Sequence, residues 1–364
     1  MSLQVYRLDT DSFWKSRSRT PLSGIPFTLG TTQPDATNTG YGALGYTSAS
    51  LVDMSQGDLI ITTDGTVVEG KRIHGIVRVD ANNVTIRGCE IVSYAGHPYI
   101  DSSHYGMISS TGTGNVFEYN HITQYDPSTS ADNSTWWMVG VLINSGSATV
   151  YRNNIHDTND LVYIKGGTQQ VQGNYLHDPG FRTDDQDQSG SSPAYWSHND
   201  GVQIMGGTNH LVDGNSIAMK FSTLTGMNST ANPDPNAEQV WPNCHGMIIQ
   251  NNKNALSGIT VQRNWFKYGS NAIRFGGAQA FDPGGAVTVI QNRITPDQGK
   301  EFSQYVQIRN DPTTSWSTQP TVDSTNVYSN DADTPLAIQG QPLTAPTTSG
   351  TTQVWAYNSG AHTP

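Results

Sequence analysis

Charge is scarce in this chain. Asp, Glu, Lys and Arg make up 13 % of its 364 residues, about half the usual share. With 37 glycines beside them, this is a profile of strands and polar turns, and it argues against long helices. Basic residues are the scarcer kind, 19 against 30 acidic, for a net charge of -11. A nucleic-acid backbone would be repelled over most of such a surface, so no nucleic-acid partner is expected. A few cations gathered on one face could still meet an acidic glycan. Cysteine is nearly absent: Cys89 and Cys244 are the only two, too few for a disulfide framework. No apolar run approaches a membrane span, so no membrane insertion is expected. Met1 to Lys15 carries Arg7, Asp9 and Asp11 where the apolar run of a signal peptide would sit. The expectation is therefore a chain without a signal peptide.

What the sequence does have is a repeat. At Cys89, Asn120, Asn153, Asn174, Asn215, Asn264, Asn292 and Asn330 the residue three places earlier is apolar, from Ile86 and Phe117 through to Val327. The residue two places later is apolar again, from Ile91 and Ile122 through to Ala332. Strand-sized units separated by inserts of very unequal length are the mark of a solenoid. Period-two alternation punctuated by Gly and Asn makes the units strands. Stacked at about 4.8 Å, an Asn at the same bend of every coil would hydrogen-bond to its neighbours and satisfy backbone groups buried by the turn. Cys89 would close the ladder. Cys89 and Cys244 fall five coils apart, roughly 24 Å, so both are expected as free thiols.

A second strand, usually opened by Gly, precedes each Asn strand. Its alternation points Val162, Val202, Met247 and Ile273 inward and Tyr163, Lys165, Gln203 and Arg274 outward. This pattern resembles the right-handed parallel β-helix of the pectate-lyase-like superfold. The resemblance implies an all-β, right-handed parallel β-helix solenoid of about eight coils with long insertions on one side. The expected layout is an N-terminal cap or attachment segment with a linker over 1-57, the β-helix over 58-335 and a C-terminal tail over 336-364. The polar lead-in followed by "ITTDGTVVEG" and "VTIRGCEI" resembles β-helix tail proteins of phages that infect actinobacteria.

Three long inserts, 126 to 138, 178 to 199 and 218 to 244, leave at the same corner and so share one face. They carry Trp136, Trp137, Tyr195, Trp196 and Trp241. Flat rings with polar neighbours suit sugar faces; the alternative is that they anchor the inserts. At the foot of the Gly strand come Asp160, Asp200 and His245 on consecutive coils, then the outward Arg274. The row resembles the polygalacturonase-type glycoside hydrolases. That resemblance implies Asp160 and Asp200 as acid and base, His245 as their modulator and Arg274 as holder of a substrate carboxylate. The sequence departs from the pattern at Asn199, where a second Asp is expected, and at Phe275-Gly276, where a Lys should follow. Two close carboxylates cannot both ionise cheaply, which suits an acid-base pair. Asp before Gly is also a common turn residue that accepts backbone N–H bonds, and both readings stand. A lyase would need a base, for which Lys165 is the placed residue.

Two weaker groups remain. "NIHD" and "YLHD" stack His156 on His177 and Asp157 on Asp178, read as a solvated His-Asp ladder in preference to a metal site, so no metal ligands are assigned. Asp184, Asp185 and Asp187 offer oxygen ligands to Ca²⁺ but match no defined loop; no other cofactor is expected. The functional expectation is a virion tail protein, of the minor tail or receptor-binding type, that binds and in one version cleaves host cell-surface polysaccharide. Tyr163, Gln203 and the insert aromatics would contact the sugar. Other tail proteins would be its partners and, by analogy, a homotrimer its assembly. The alternative is a free polysaccharide hydrolase or lyase of the same class.

Overall fold

A computed structural model describes residues 27–54, 56–93, 106–124, 138–180, 199–219, 245–250, 256–269, 271–276, 287–295, 320–332, 334 and 336–343, together with strands at 5–7, 308–311, 347–349 and 352–355. Nearly all its regular structure is strand. The helical turns among the described residues are two short 3-10 segments, Tyr41–Leu44 and Ser48–Ser50, and no helix is long and apolar enough to cross a membrane.

The strands form three main sheets of 12, 9 and 10 members, and the chain visits them in a fixed cycle. One pass takes Gly106–Ser110 into the first sheet, Asn115–Glu118 into the second and His121–Thr123 into the third. Val139–Ile143 then returns to the first. Successive passes pair in parallel and in register, so that Leu59, Val77, Ile108, Val141, Val162, Val202, Met247, Ile273 and Ile308 make one column. This all-β arrangement of stacked parallel sheets is compatible with a parallel β-helix. At the far end Thr347–Ser349 and Thr352–Trp355 pair antiparallel and extend the first sheet beyond Ile308–Asp311.

The alternation of the sequence is what makes one face of each strand bury. In Thr168–Gln172, Gln169 and Val171 are inside while Thr168 and Gln170 face water. Each fully buried Val or Ile contributes about 1.5–3 kcal/mol, and one continuous apolar cluster runs from Leu59 to Leu343.

Between the second and third sheets the chain turns on two residues. The first adopts a left-handed conformation: Gly88, Tyr119, Arg152, Gly173, Gly214, Arg263 and Gln291 all have φ between 52° and 65°. The second is the repeated Asn. In Asn120, Asn153, Asn174, Asn215, Asn264 and Asn292 the side chain is fully buried. Each Nδ2 donates to a carbonyl of the preceding pass, such as Phe117 O for Asn153, and to Oδ1 of the next Asn. That Oδ1 also accepts the Asn153 backbone N–H at 2.9 Å. Cys89 ends the ladder as expected: its N–H donates to Asn120 Oδ1, and burial pushes its thiol up to about 12. Cys89 is a free thiol; Cys244 lies outside the described residues.

The last rung is a correction. Asn330 is exposed, and the residue that accepts from Asn292 is Asn326, fully buried. The apolar flank was the misleading signal. Three places before Asn326 stands Asp323, whose carbonyl itself receives Asn326 Nδ2 at 2.9 Å, so a polar cap occupies the position where every other rung carries an apolar residue.

A second polar column lines the corner between the first and second sheets. Asn115 and Gln169 each accept a backbone N–H from a neighbouring pass, Val84 and Ala148 respectively. His210 follows: its Nδ1 accepts the Gln169 N–H, so the proton is on Nε2, which donates to Gly206 O. Burial depresses its pKa, and the ring is a satisfied core histidine.

Residues 27–53, part of the 1-57 segment expected as cap and linker, run back along the outside of the Asn corner. Phe27 lies 4.0 Å under the Arg152 guanidinium, and Arg293 donates to Gly30 O. Gln33 donates to Ser216 Oγ, Asn38 O accepts from Arg152 Nε, and Gly40 N–H donates to Arg152 O. Tyr46 reaches Glu69, and Val52 then pairs with the third sheet. The segment straps several passes together from the outside.

Replacing Asn174 by Leu orphans the Asn153 amide and the Val150 carbonyl in the interior. At about 1–3 kcal/mol for each such group, the variant is expected to lose at least about 2 kcal/mol in denaturant unfolding, whereas Asn330→Leu is expected to be neutral within about 0.5 kcal/mol.

Candidate functional site on the outer face of the first sheet

The chain bends as it enters the first sheet, and the bend decides where the polar row points. Gly201 and Gly246 follow Asp200 and His245. A Cβ on Gly201 would lie 2.4 Å from Ile217 Cγ2, and one on Gly246 would lie 2.7 Å from Phe266 Cδ1. The glycine column therefore faces the core, with no room for a side chain, and the residue before it is turned the other way. Strict alternation counted back from Val162 and Val202 puts Asp160 and Asp200 inside; the bend overrides it. Val139, level with Asp160, packs in a cluster of its own with Leu142, Tyr163 and Met205 on the outer side of the sheet.

Asp200, His245 and Asn271 are directly in register. Asp160 stands level with them, because Val162 pairs with Val202 two residues on. All four are at least nine-tenths buried. Arg274 Nη1 lies 3.2 Å from His245 Nε2, and the Asn271 amide lies 3.1 Å from Nδ1. A guanidinium only donates, so Nε2 accepts, and a neutral ring then carries its proton on Nδ1. Nδ1–H needs an acceptor, which assigns the Asn271 carbonyl oxygen to that side of the amide. His245 thus holds Arg274 in place.

The carboxylates are more constrained than the sequence suggests. Asp160 Oδ1 accepts the Asp200 backbone N–H at 2.9 Å, and Asp58 does the same for Ile76 at 3.0 Å, remote from the row. Accepting an amide from the next pass is therefore a structural role this chain uses more than once. Asn199 is fully buried and donates Nδ2 to Asn159 O and Gly180 O at 2.9 and 2.6 Å. A carboxylate there would face two carbonyl oxygens, so an amide and not an acid suits this position. Phe275 belongs to the core and Gly276 ends its strand, leaving no cation where a Lys would follow Arg274.

Of the other expected contacts, Tyr163, Gln203, Ile248 and Arg274 share one outward column. Gln203 and Arg274 are partly exposed, whereas Tyr163 is 7 % exposed and packs with its apolar neighbours. Lys165 Nζ lies 5.5 Å from the Tyr163 ring centroid. It is five residues along from Asp160, up to about 16 Å, so it belongs to the other end of the strand and not to the Asp-Asp-His row. Trp136, Trp137, Tyr195, Trp196, Trp241, Asp184, Asp185 and Asp187 lie outside the described residues. Among the described residues no three His, Cys, Asp or Glu side chains are grouped to hold a metal ion. Sequence reasoning missed Asn271; its place three residues before Arg274 was the available signal, since a bend lets both reach one ring.

Comparison with known proteins returns no match to a family model, a curated protein or a solved structure.

Placing an acid at this position by Asn199→Asp is expected to cost at least about 3 kcal/mol, because a buried charge would replace two donated hydrogen bonds. A thermal melt of the variant checks this, and an unchanged midpoint would show that position 199 is free to carry a carboxylate.

Proposed function

We propose that the three sheets wind into a right-handed parallel β-helix of about eight coils, and that the outer face of the first sheet binds polysaccharide. In this reading the chain is a virion tail protein that recognises host cell-surface glycan, assembled with other tail proteins. The observation that carries it is the register of Asp160, Asp200, His245 and Asn271 with Arg274 locked onto the histidine. The row itself is buried and forms a floor, above which the partly exposed Gln203 and Arg274 present an amide and a fixed cation to the hydroxyls and carboxylates of a glycan. The insert aromatics would add stacking surfaces for sugar rings.

The second reading is a polysaccharide-degrading enzyme, favoured by Asp160 and Asp200 at the same level on adjacent strands. The committed oxygen of Asp160 and the amide at Asn199 weigh towards binding without cleavage.

Purified protein incubated with a panel of bacterial envelope polysaccharides separates the readings. Binding in a co-sedimentation assay is expected, weakened at least about tenfold by Arg274→Gln, with no new reducing ends and no ultraviolet-absorbing unsaturated products. Reducing ends lost in Asp200→Asn would establish the hydrolase, since acid-base groups contribute about 10² to 10⁴ in rate. Unsaturated products would establish a lyase. No binding to any member of the panel would remove the glycan reading.

A further inference from the structure

A histidine column on the outer face of the third sheet is not used by the proposed binding site. His121, His156 and His177 come from three successive passes. The His121 and His156 rings are 4.8 Å apart and those of His156 and His177 4.9 Å. Nε2 of His121 and Nε2 of His156 face each other at 2.7 Å. His156 Nδ1 is 2.6 Å from Asp157 Oδ2, and His177 Nδ1 is 2.6 Å from Asp178 Oδ2. A carboxylate only accepts, so both Nδ1 atoms carry hydrogen. Neutral His156 must then accept at Nε2, and His121 Nε2–H donates to it. The contact has room for one proton. A second would set two N–H groups head to head, as must happen once both rings are cationic.

His177 fits the same accounting. Its Nε2 lies 2.8 Å from the side-chain oxygen position of Asn154, while burial lowers the pKa of the ring. A neutral His177 with Nδ1–H requires a donor at Nε2, so the Asn154 amide nitrogen belongs there.

The column is roofed by the strap. Tyr41 stacks on His121 at 5.8 Å and 24°. Gly40 lies against Asn154 and His121, close enough that a Cβ on it would come 3.3 Å from Asn154 Cβ. Tyr175 stacks on His177 from the sheet, at 3.9 Å. The charged groups around the column are Asp157 and Asp178 on its own corners, Arg72 and Glu90 near Tyr41, Asp35 of the strap near Tyr175, and Arg152. The two aspartates favour protonated rings. Burial and the neighbouring imidazoles oppose it and dominate at His121, which is held down to about 4.

We propose that the His121–His156–His177 column is a proton-operated latch for the strap at residues 33–47, closed at neutral pH and opened by acid. The sign follows from linkage. His121 has a folded value below its ordinary one of about 6.5, so the opened state binds more protons than the closed one. Strap docking is at full strength above about 6.5 and weakens as the pH falls towards 4. The buried Asn ladder contains no titrating group, whereas His210 at the other corner shares the lowered pKa, so protection of the sheets is read beside that of the strap.

Hydrogen–deuterium exchange at pH 7.5 and 4.5, corrected for intrinsic rates, tests this on the intact chain. Peptides spanning 33–47 are expected to gain at least tenfold in exchange at the lower pH, while Gly106–Ser110 and Val139–Ile143 stay protected. In His121→Gln/His156→Gln the strap should respond less than threefold to the same change. Equal strap protection at both pH values overturns the latch, and so does an undiminished acid response in the double variant. Should that variant fail to fold, an NMR titration of the wild-type histidines decides: a His121 midpoint near 4 that coincides with strap opening supports the latch, and one near 6.5, or one uncoupled from the strap, overturns it. None of these readouts depends on glycan binding.

Discussion

The backbone at the corner between the second and third sheets is the constraint on which the rest depends. A tight turn there buries peptide groups that no sheet can satisfy, and an unsatisfied buried group costs about 1–3 kcal/mol. One Asn per pass solves this with three bonds: Nδ2 to a carbonyl of the preceding pass, Nδ2 to the next Asn and Oδ1 from an N–H. Because each amide leans on the next, the ladder fixes the register of one pass over another. A slip by one residue would turn the inward Val and Ile column outward. The left-handed residue before each Asn is the accompanying strain, about 1–2 kcal/mol where it is Tyr119, Arg152, Arg263 or Gln291 rather than Gly.

Register then places the chemistry. Asp200, His245 and Asn271 are 45 and 26 residues apart in sequence, and only exact stacking brings them level. The glycines behind Asp200 and His245 do the aiming, since Ile217 and Phe266 leave no space for a Cβ and the bend sends the preceding side chains outward. The same register puts Arg274 within reach of the His245 ring. A corner device on one side of the molecule thereby sets the spacing of polar groups on another.

The repeat was legible in the sequence because every pass buries the same short pattern, and its apolar flanks at Ile86, Phe117 or Val212 are written plainly. It failed at Asn326, where Asp323 caps the turn in place of an apolar residue. Asp160, Asp200 and His245 were legible as a row, but their direction was not, because alternation fails at a bend whose cause is the bulk of Ile217 and Phe266 far along the chain. The column Asn115, Gln169 and His210 had no common residue type to betray it. The path of residues 27–53 was hidden for a related reason: Thr, Gly, Ala and Ser suit a linker and a surface strap equally, and only the partners, such as Arg152 and Ser216, distinguish them.

The outer face of the first sheet is the proposed binding surface. Hydroxyl-radical footprinting and lysine acylation, read by mass spectrometry with and without a polysaccharide that the protein binds, test it directly. Protection is expected to concentrate at Lys165, Gln203 and Arg274, with Thr168 and Gln170 of the second sheet and Tyr175 of the third unchanged. Protection of the second or third sheet with the first sheet unchanged would contradict it.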